Sequence, residues 1–194
     1  MERGSEQQSV RRVELVDAAY AYALQHGLAG ASLRPVAEAI GSSTGVLRFL
    51  FGSKDGLVRA VLARARAGEL ELLAALPADG GLEEVAVRTW QWLADPAHAP
   101  VLRLWVESYA TALIEPDGPW GGFARQTVDD WLRLLARAQP APVRRTAAGA
   151  ARRTAVLAVL RGGLLDLVAT GQRARVTRAV LLAVDEVTTG ERQG

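Results

Sequence analysis

Two glycine–serine junctions, "GSS" at 41–43 and "GS" at 52–53, leave room between them only for the short helix "TGVLRFLF", Thr44–Phe51. So short a helix is not stable by itself and has to lean on its neighbours. The segment before it is of the same kind. "LRPVAEAI", Leu33–Ile40, is bounded by Ser32 and Gly41, with Pro35 in its first turn, where a missing N–H costs little. Earlier still, apolar positions at helical spacing run from about Ser9 to His26, with Val13, Val16, Tyr20, Ala23 and Leu24 on or near one face and Gly27 as the stop. Ser32, Ser43 and Ser53 stand where caps are wanted, and Asp55 lies near the positive end of a fourth helix. Residues 9–52 thus read as three helices, and a joint of little more than Gly41 and Ser42 makes the second and third cross steeply. That is the geometry of a helix-turn-helix.

In such a motif the third helix buries one face and offers the other to the DNA major groove. Val46, Leu47, Leu50 and Phe51 are expected inside; Thr44, Gly45, Arg48 and Phe49 are left outside. Thr44 reaches a base edge or a phosphate, and Gly45 lets the backbone come close. Arg48 serves either a phosphate or guanine O6 and N7 together. Ser32, Arg34 and Ser43 sit at helix starts, where hydroxyls cap and N–H groups can hold phosphate. Lys54, the sole lysine, is placed beside the duplex, and Arg11 and Arg12, with Arg3 on a tail expected to be disordered, are weaker candidates. Each has a plainer reading as a solvated charge or an ordinary helix start.

Charge sets a limit. Residues 1–60 carry seven basic and six acidic side chains, and the span from Arg34 to Lys54 has three basic residues against Glu38. One copy would hold DNA poorly by electrostatics alone, so a dimer is expected. Overall composition says less: 22 of the 23 basic residues are arginine, a bias that with abundant alanine fits a G+C-rich coding sequence.

The segment Leu15–Leu62 resembles the DNA-binding domain of the tetracycline-repressor (TetR) family of bacterial regulators. The resemblance is carried by Asp17-Ala18-Ala19, Gly27, Ser32-Leu33-Arg34, Val36-Ala37, Gly41, Ser43, Gly45, Leu47 and Phe51-Gly52-Ser53-Lys54-Asp55 with Leu57. "RGGLLDLVATGQRARV", Arg161–Val176, is similar to the junction of that family's two dimer-forming C-terminal helices. The chain departs from the family at Arg48, Phe49 and Leu50, where a tyrosine and further aromatic or histidine residues are usual, and at Ala23, where an aromatic is usual and Tyr20, Tyr22 or Leu24 must fill the space.

The rest of the chain reads as helices of about 54–76, 82–94, 100–115, 119–138, 143–170 and 174–188, separated by proline- and glycine-rich turns. The expected fold is all-α: a three-helix DNA-binding domain, residues 1–53, and a larger helical ligand-binding and dimerisation domain, residues 54–194, joined through the fourth helix. All five tryptophans fall between Trp90 and Trp131. Large rings usually fill a core; so tight a cluster also suits an apolar cavity. The resemblance implies an effector site among these helices, with Trp105, Tyr109, Phe123, Thr127 and Trp131 as the lining and Glu107 as a further polar candidate. Ala147, Ala148, Ala150, Ala151, Ala155, Gly162 and Gly163, with Leu157, Leu160, Leu164, Leu181, Leu182 and Val184, are expected to build a homodimer interface, and Asp166 to be a paired carboxylate in it.

Catalysis finds no support. There is no cysteine, no phosphate loop and no nucleophile elbow, and neither His26 nor His98 has a metal-binding partner at helical spacing. No cofactor or metal is expected. No apolar run approaches the roughly 18 residues of a spanning helix, and the first thirty residues are charged and interrupted, so a cytoplasmic protein is expected. The expected function is a homodimeric repressor released from a palindromic double-stranded DNA operator by a small apolar or aromatic effector. A structural DNA-binding protein without a ligand, or a regulator controlled by a protein partner, remain as alternatives.

Overall fold

The computed structural model describes residues 2–75 and 80–189. It is built from α1 (Glu2–His26), α2 (Leu33–Ala39), α3 (Thr44–Phe51), α4 (Lys54–Ala75), α5 (Gly81–Leu93), α6 (Ala99–Ile114), α7 (Phe123–Arg137), α8 (Ala141–Arg144), α9 (Ala147–Thr170) and α10 (Arg173–Thr189), with a 3₁₀ turn at Pro96–His98. No strand occurs among the described residues, and none of their helices is long and apolar enough to cross a membrane. Most of the turn expected at 77–81, and the side chain of Arg3, lie outside the described residues.

Three boundaries differ from the sequence reading. α1 begins at Glu2 rather than near Ser9, so Arg3 is on the helix and not on a tail. α7 begins at Phe123, which leaves Trp120 in the preceding turns, where it is nevertheless buried. The helix expected over 143–170 is broken, because the Thr146 hydroxyl accepts from Gly149 N at 2.9 Å and starts α9 afresh.

The chain divides into two compact units, Met1–Glu69 with Arg103–Arg125, and Leu70–Leu102 with Gln126–Gly194. The first is larger than residues 1–53. Its core joins Leu15, Ala19 and Ala23 of α1, Val36 and Ala37 of α2, Leu47 and Phe51 of α3 and Leu57, Val58, Val61 and Leu62 of α4. Leu104, Ala112, Trp120 and Phe123 complete it. Val13, expected on the inner face of α1, is 59% exposed. Tyr20, Tyr22 and Leu24, the neighbours of Ala23, are all half-buried against this core.

A polar contact explains why α6 belongs here. The Glu107 carboxylate accepts from Leu28 N at 3.1 and 3.0 Å and from Ala29 N at 2.9 Å, in the turn after α1. Gly27, at φ +75°, makes the turn and the approach, since a Cβ there would lie 2.9 Å from Glu107 Oε1. Glu107 is thus engaged within the fold and not, as the sequence suggested, set aside for a ligand.

The second unit packs α5, α9 and α10 together. Trp90 is 1% exposed and donates from Nε1 to Thr177 Oγ1 at 3.1 Å. Gly163 lies against it, and a Cβ there would collide with Val180 Cγ2 and the Trp90 ring. Its smallness therefore serves packing inside the chain, whereas Gly162 faces open space. Leu157, Leu160, Leu164 and Val184 are likewise buried within the chain; Leu165, Val168, Leu181 and Leu182 remain exposed.

Asp166 also has its partner within the chain. Arg175 Nη2 donates to its Oδ1 at 2.6 Å across the α9–α10 turn, and Thr170 adds a hydrogen bond. The Arg175 hydrogen bond, ahead of the opposing effect of desolvation, holds the carboxyl below its ordinary value. A depressed carboxylate contributes stability that is present above its unfolded-state value and is lost as pH falls through the folded one. Carboxyl NMR should find Asp166 titrating below an ordinary aspartate, and Arg175→Gln should return it toward that value; an unshifted midpoint would contradict the pairing.

Candidate nucleic-acid interface

α2 and α3 are joined by a tight turn of four residues, 40–43. Gly41, at φ +64°, carries the chain out of α2, with Gly41 N donating to Glu38 O at 3.3 Å and Ser42 N to Ala37 O at 2.8 Å. Ser43 opens α3: its hydroxyl accepts from Val46 N at 3.2 Å. Gly52, at φ +76°, closes α3 with its N–H on Arg48 O at 2.8 Å, and Ser53 caps α4 by accepting from Gly56 N at 3.1 Å. Gly56 is needed there, because a Cβ would collide with the Phe51 carbonyl. Tight turns thus bound the short α3 on both sides.

Its two faces are sharply unlike. Leu47 is 0% and Phe51 8% exposed, and Leu50 packs half-buried beside them. Phe49 is 75% exposed. Gly45 and Arg48 are also exposed, and Thr44 is half-buried at the helix start. Val46 departs from expectation: it is 40% exposed and lies outside the core. The core-facing direction is set by Leu47 and Phe51, four residues apart, and at about 100° per residue Val46 is turned well away from it.

Arg48 has no ion-pair partner among the described residues. Gly45 has room to spare, for a Cβ would meet only Ser43 Oγ at 3.7 Å, an ordinary contact. Arg34, at the start of α2, is exposed but donates from Nε to Glu38 Oε1 at 3.0 Å. The pairing weakens its free charge. Ser32 occupies the cap position of α2 in extended backbone but makes no capping hydrogen bond, contrary to expectation. Lys54 Nζ donates to Ala29 O at 3.4 Å, and the side chain stays exposed. Arg11 pairs with Glu14 at 2.9 Å, while the Arg12 guanidinium lies 5.2 Å from the centre of the Phe51 ring. Thr44, Gly45, Arg48, Phe49 and Ser43 therefore share α3 and its cap; Ser32, Arg34 and Lys54 sit at the starts of the flanking helices.

The proposed effector residues are less coherent as a set. Trp105 and Tyr109 stack with ring centres 4.9 Å apart, half-buried, and Phe123 is 6% exposed, all three in the first unit. Thr127 and Trp131, 1% and 7% exposed, belong to the second. Among the described residues no three histidine, aspartate or glutamate side chains cluster to hold a metal ion.

Comparison with known proteins agrees with this geometry. Residues 15–61 match the model of the bacterial regulatory proteins of the tetR family, a stretch covering the C-terminal half of α1, all of α2 and α3 and the start of α4. An HTH-type transcriptional regulator, BetI, of Paraburkholderia phytofirmans is 31% identical over 111 residues, 55% of this chain. The match spans 57% of that relative's length. A transcriptional regulator from Rhodococcus sp. Rha1 superposes with a TM-score of 0.77 at 21% identity, over 92% of this chain and 96% of its own. The multidrug binding protein EbrR, solved with ethidium, gives 0.67 at 25% identity, over 89% of this chain and 98% of its own. Residues 15–61, which hold the helix-turn-helix, are thus similar to the tetR family of bacterial regulatory proteins, and the all-helical architecture of the described residues matches the fold of these solved structures.

Proposed function

We propose that the chain is a homodimeric transcriptional repressor, not an enzyme, that holds a palindromic operator through α3 and leaves it when a small apolar or aromatic effector binds. The observation that carries the reading is the outer face of α3. Gly45, Arg48 and Phe49 are exposed together, the arginine is uncommitted, and glycine stands where alanine would fit. A helix meant only for solvent gains nothing from an exposed phenylalanine or an interior glycine. A helix that must approach a grooved polyanion closely gains from both the free cation and the missing side chain.

Dimerisation is supported by Leu165 and Leu182, 51% and 62% exposed, with Val168 and Leu181 beside them in the sequence of α9 and α10. A two-fold assembly presents α3 twice, which explains the palindrome and doubles the weak electrostatic attraction of one copy. The effector class is argued from the aromatic character of Trp105, Tyr109, Phe123 and Trp131 and from EbrR, whose solved structure holds ethidium. A ligand-independent DNA-binding protein remains the second reading, favoured by the burial of Phe123 and Trp131.

The test is selection of duplexes from a random-sequence pool by the full-length chain at low ionic strength. A palindrome should emerge, and Arg48→Ala should weaken its binding by about 1–3 kcal/mol if the guanidinium reads a base. Equal loss on all sequences would assign Arg48 to phosphate. A monomeric protein that retains no duplex would overturn the proposal.

A further inference from the structure

We propose that α3 recognises thymine through the 5-methyl group, with Phe49 and Val46 as the reading side chains. The inference rests on the regulator reading above and adds the chemistry of the bases recognised. Leu47 and Phe51 define the buried side of α3. At about 100° per residue, the opposite side is led by Gly45 and Phe49, one turn apart, with Val46 on one flank and Arg48 on the other. Phe49 is 75% and Val46 40% exposed, and Phe49 meets no aromatic or cationic partner among the described residues. The outermost ridge of the helix is therefore apolar, notched at Gly45, and bordered by one guanidinium.

The major-groove wall offers such a ridge one matching feature. Adenine, guanine and cytosine present donors and acceptors there, whereas thymine adds a methyl group. A phenyl or isopropyl group pressed against the polar edges leaves them desolvated and unpaired, which is penalised; against the methyl it gains apolar contact. Selection thus acts by attraction and by exclusion. Charge decides the class of occupant. Arg48 on α3 and Arg34 and Lys54 on the flanking helices outnumber Glu38, so a polyanion is favoured over a second copy of this face, which would bring the same cations.

The experiment uses duplexes recovered from the random-sequence pool, resynthesised with deoxyuridine in place of thymidine at each position in turn. Uracil keeps every Watson–Crick group and lacks only the methyl. Binding of the full-length chain should weaken about fourfold at each contacted position, the equivalent of one methyl group left unburied. In Phe49→Ala and Val46→Ala the thymine-over-uracil preference should fall to unity at the position each side chain covers, while Arg48→Ala should weaken binding and keep that preference. Both apolar residues are exposed, so neither variant threatens the fold. Sequence-specific binding that is equal for thymine and uracil would overturn methyl reading and leave the regulator intact. A shift of Phe49→Ala to a smaller assembly in sedimentation would instead give Phe49 to a chain–chain contact and also overturn it. Recovery of no duplex at all would remove the regulator reading and this inference with it.

Discussion

Replacing Leu47 by alanine should destabilise the first unit by about 2–5 kcal/mol and abolish sequence-specific DNA binding with it. Leu47 is 0% exposed and belongs to the same core as Leu15, Val36 and Val61, so three side-chain carbons would be removed from a closed site. The short α3 has little else to hold it, since Phe51 is its one other buried side chain. Chemical denaturation followed by circular dichroism checks the loss, and an unchanged midpoint would mean that α3 is not anchored as described. The informative control is two residues away. Gly45 is not among the glycines at positive φ and has space for a Cβ, so Gly45→Ala should raise stability by up to about 1 kcal/mol while weakening DNA binding. Opposite signs on the two readouts separate a surface shaped for a partner from one shaped for the fold.

The second large effect belongs to the other unit. Trp90→Ala should cost about 3–5 kcal/mol, because it empties a site where the indole is buried and its N–H is held by Thr177. Gly163→Ala should also destabilise, as its new methyl would press on Val180 and on the ring. Combined, the two should cost measurably less than their sum, since removing the indole relieves part of the crowding. Additive losses in a double-mutant cycle would show that Val180 alone sets the limit at Gly163.

How far the sequence foretold this arrangement depended on the range of the interactions. The helix-turn-helix was legible because its determinants are local: Gly41, Ser43, Gly52 and Ser53 act within a few residues, through backbone conformations and caps that their types favour. Val46 was misplaced because "VLRFLF" is apolar at every position but Arg48, and so compact a run cannot reveal which side faces the core. Ser32 shows the converse limit, a favourable cap residue whose hydroxyl the structure leaves unused. Glu107 was beyond reach, because its hydrogen bond to Leu28 joins residues 79 apart and no spacing rule connects them. The aromatic residues were ambiguous for a different reason. A ring that fills a core and a ring that lines a cavity look alike in a sequence; of the tryptophans, Trp90 is buried with its indole N–H held by Thr177.

The clasp between Glu107 and the turn after Gly27 bears on how this chain can be taken apart. A fragment ending at Glu69 would retain every residue of the helix-turn-helix yet lose the carboxylate that holds Leu28 and Ala29, together with Leu104, Trp120 and Phe123. Chimeras that exchange operator preference between relatives should therefore transplant two separate stretches, residues 1–69 and 103–125, as one module. A splice made at the end of the helix-turn-helix would sever a reader from part of its own foundation.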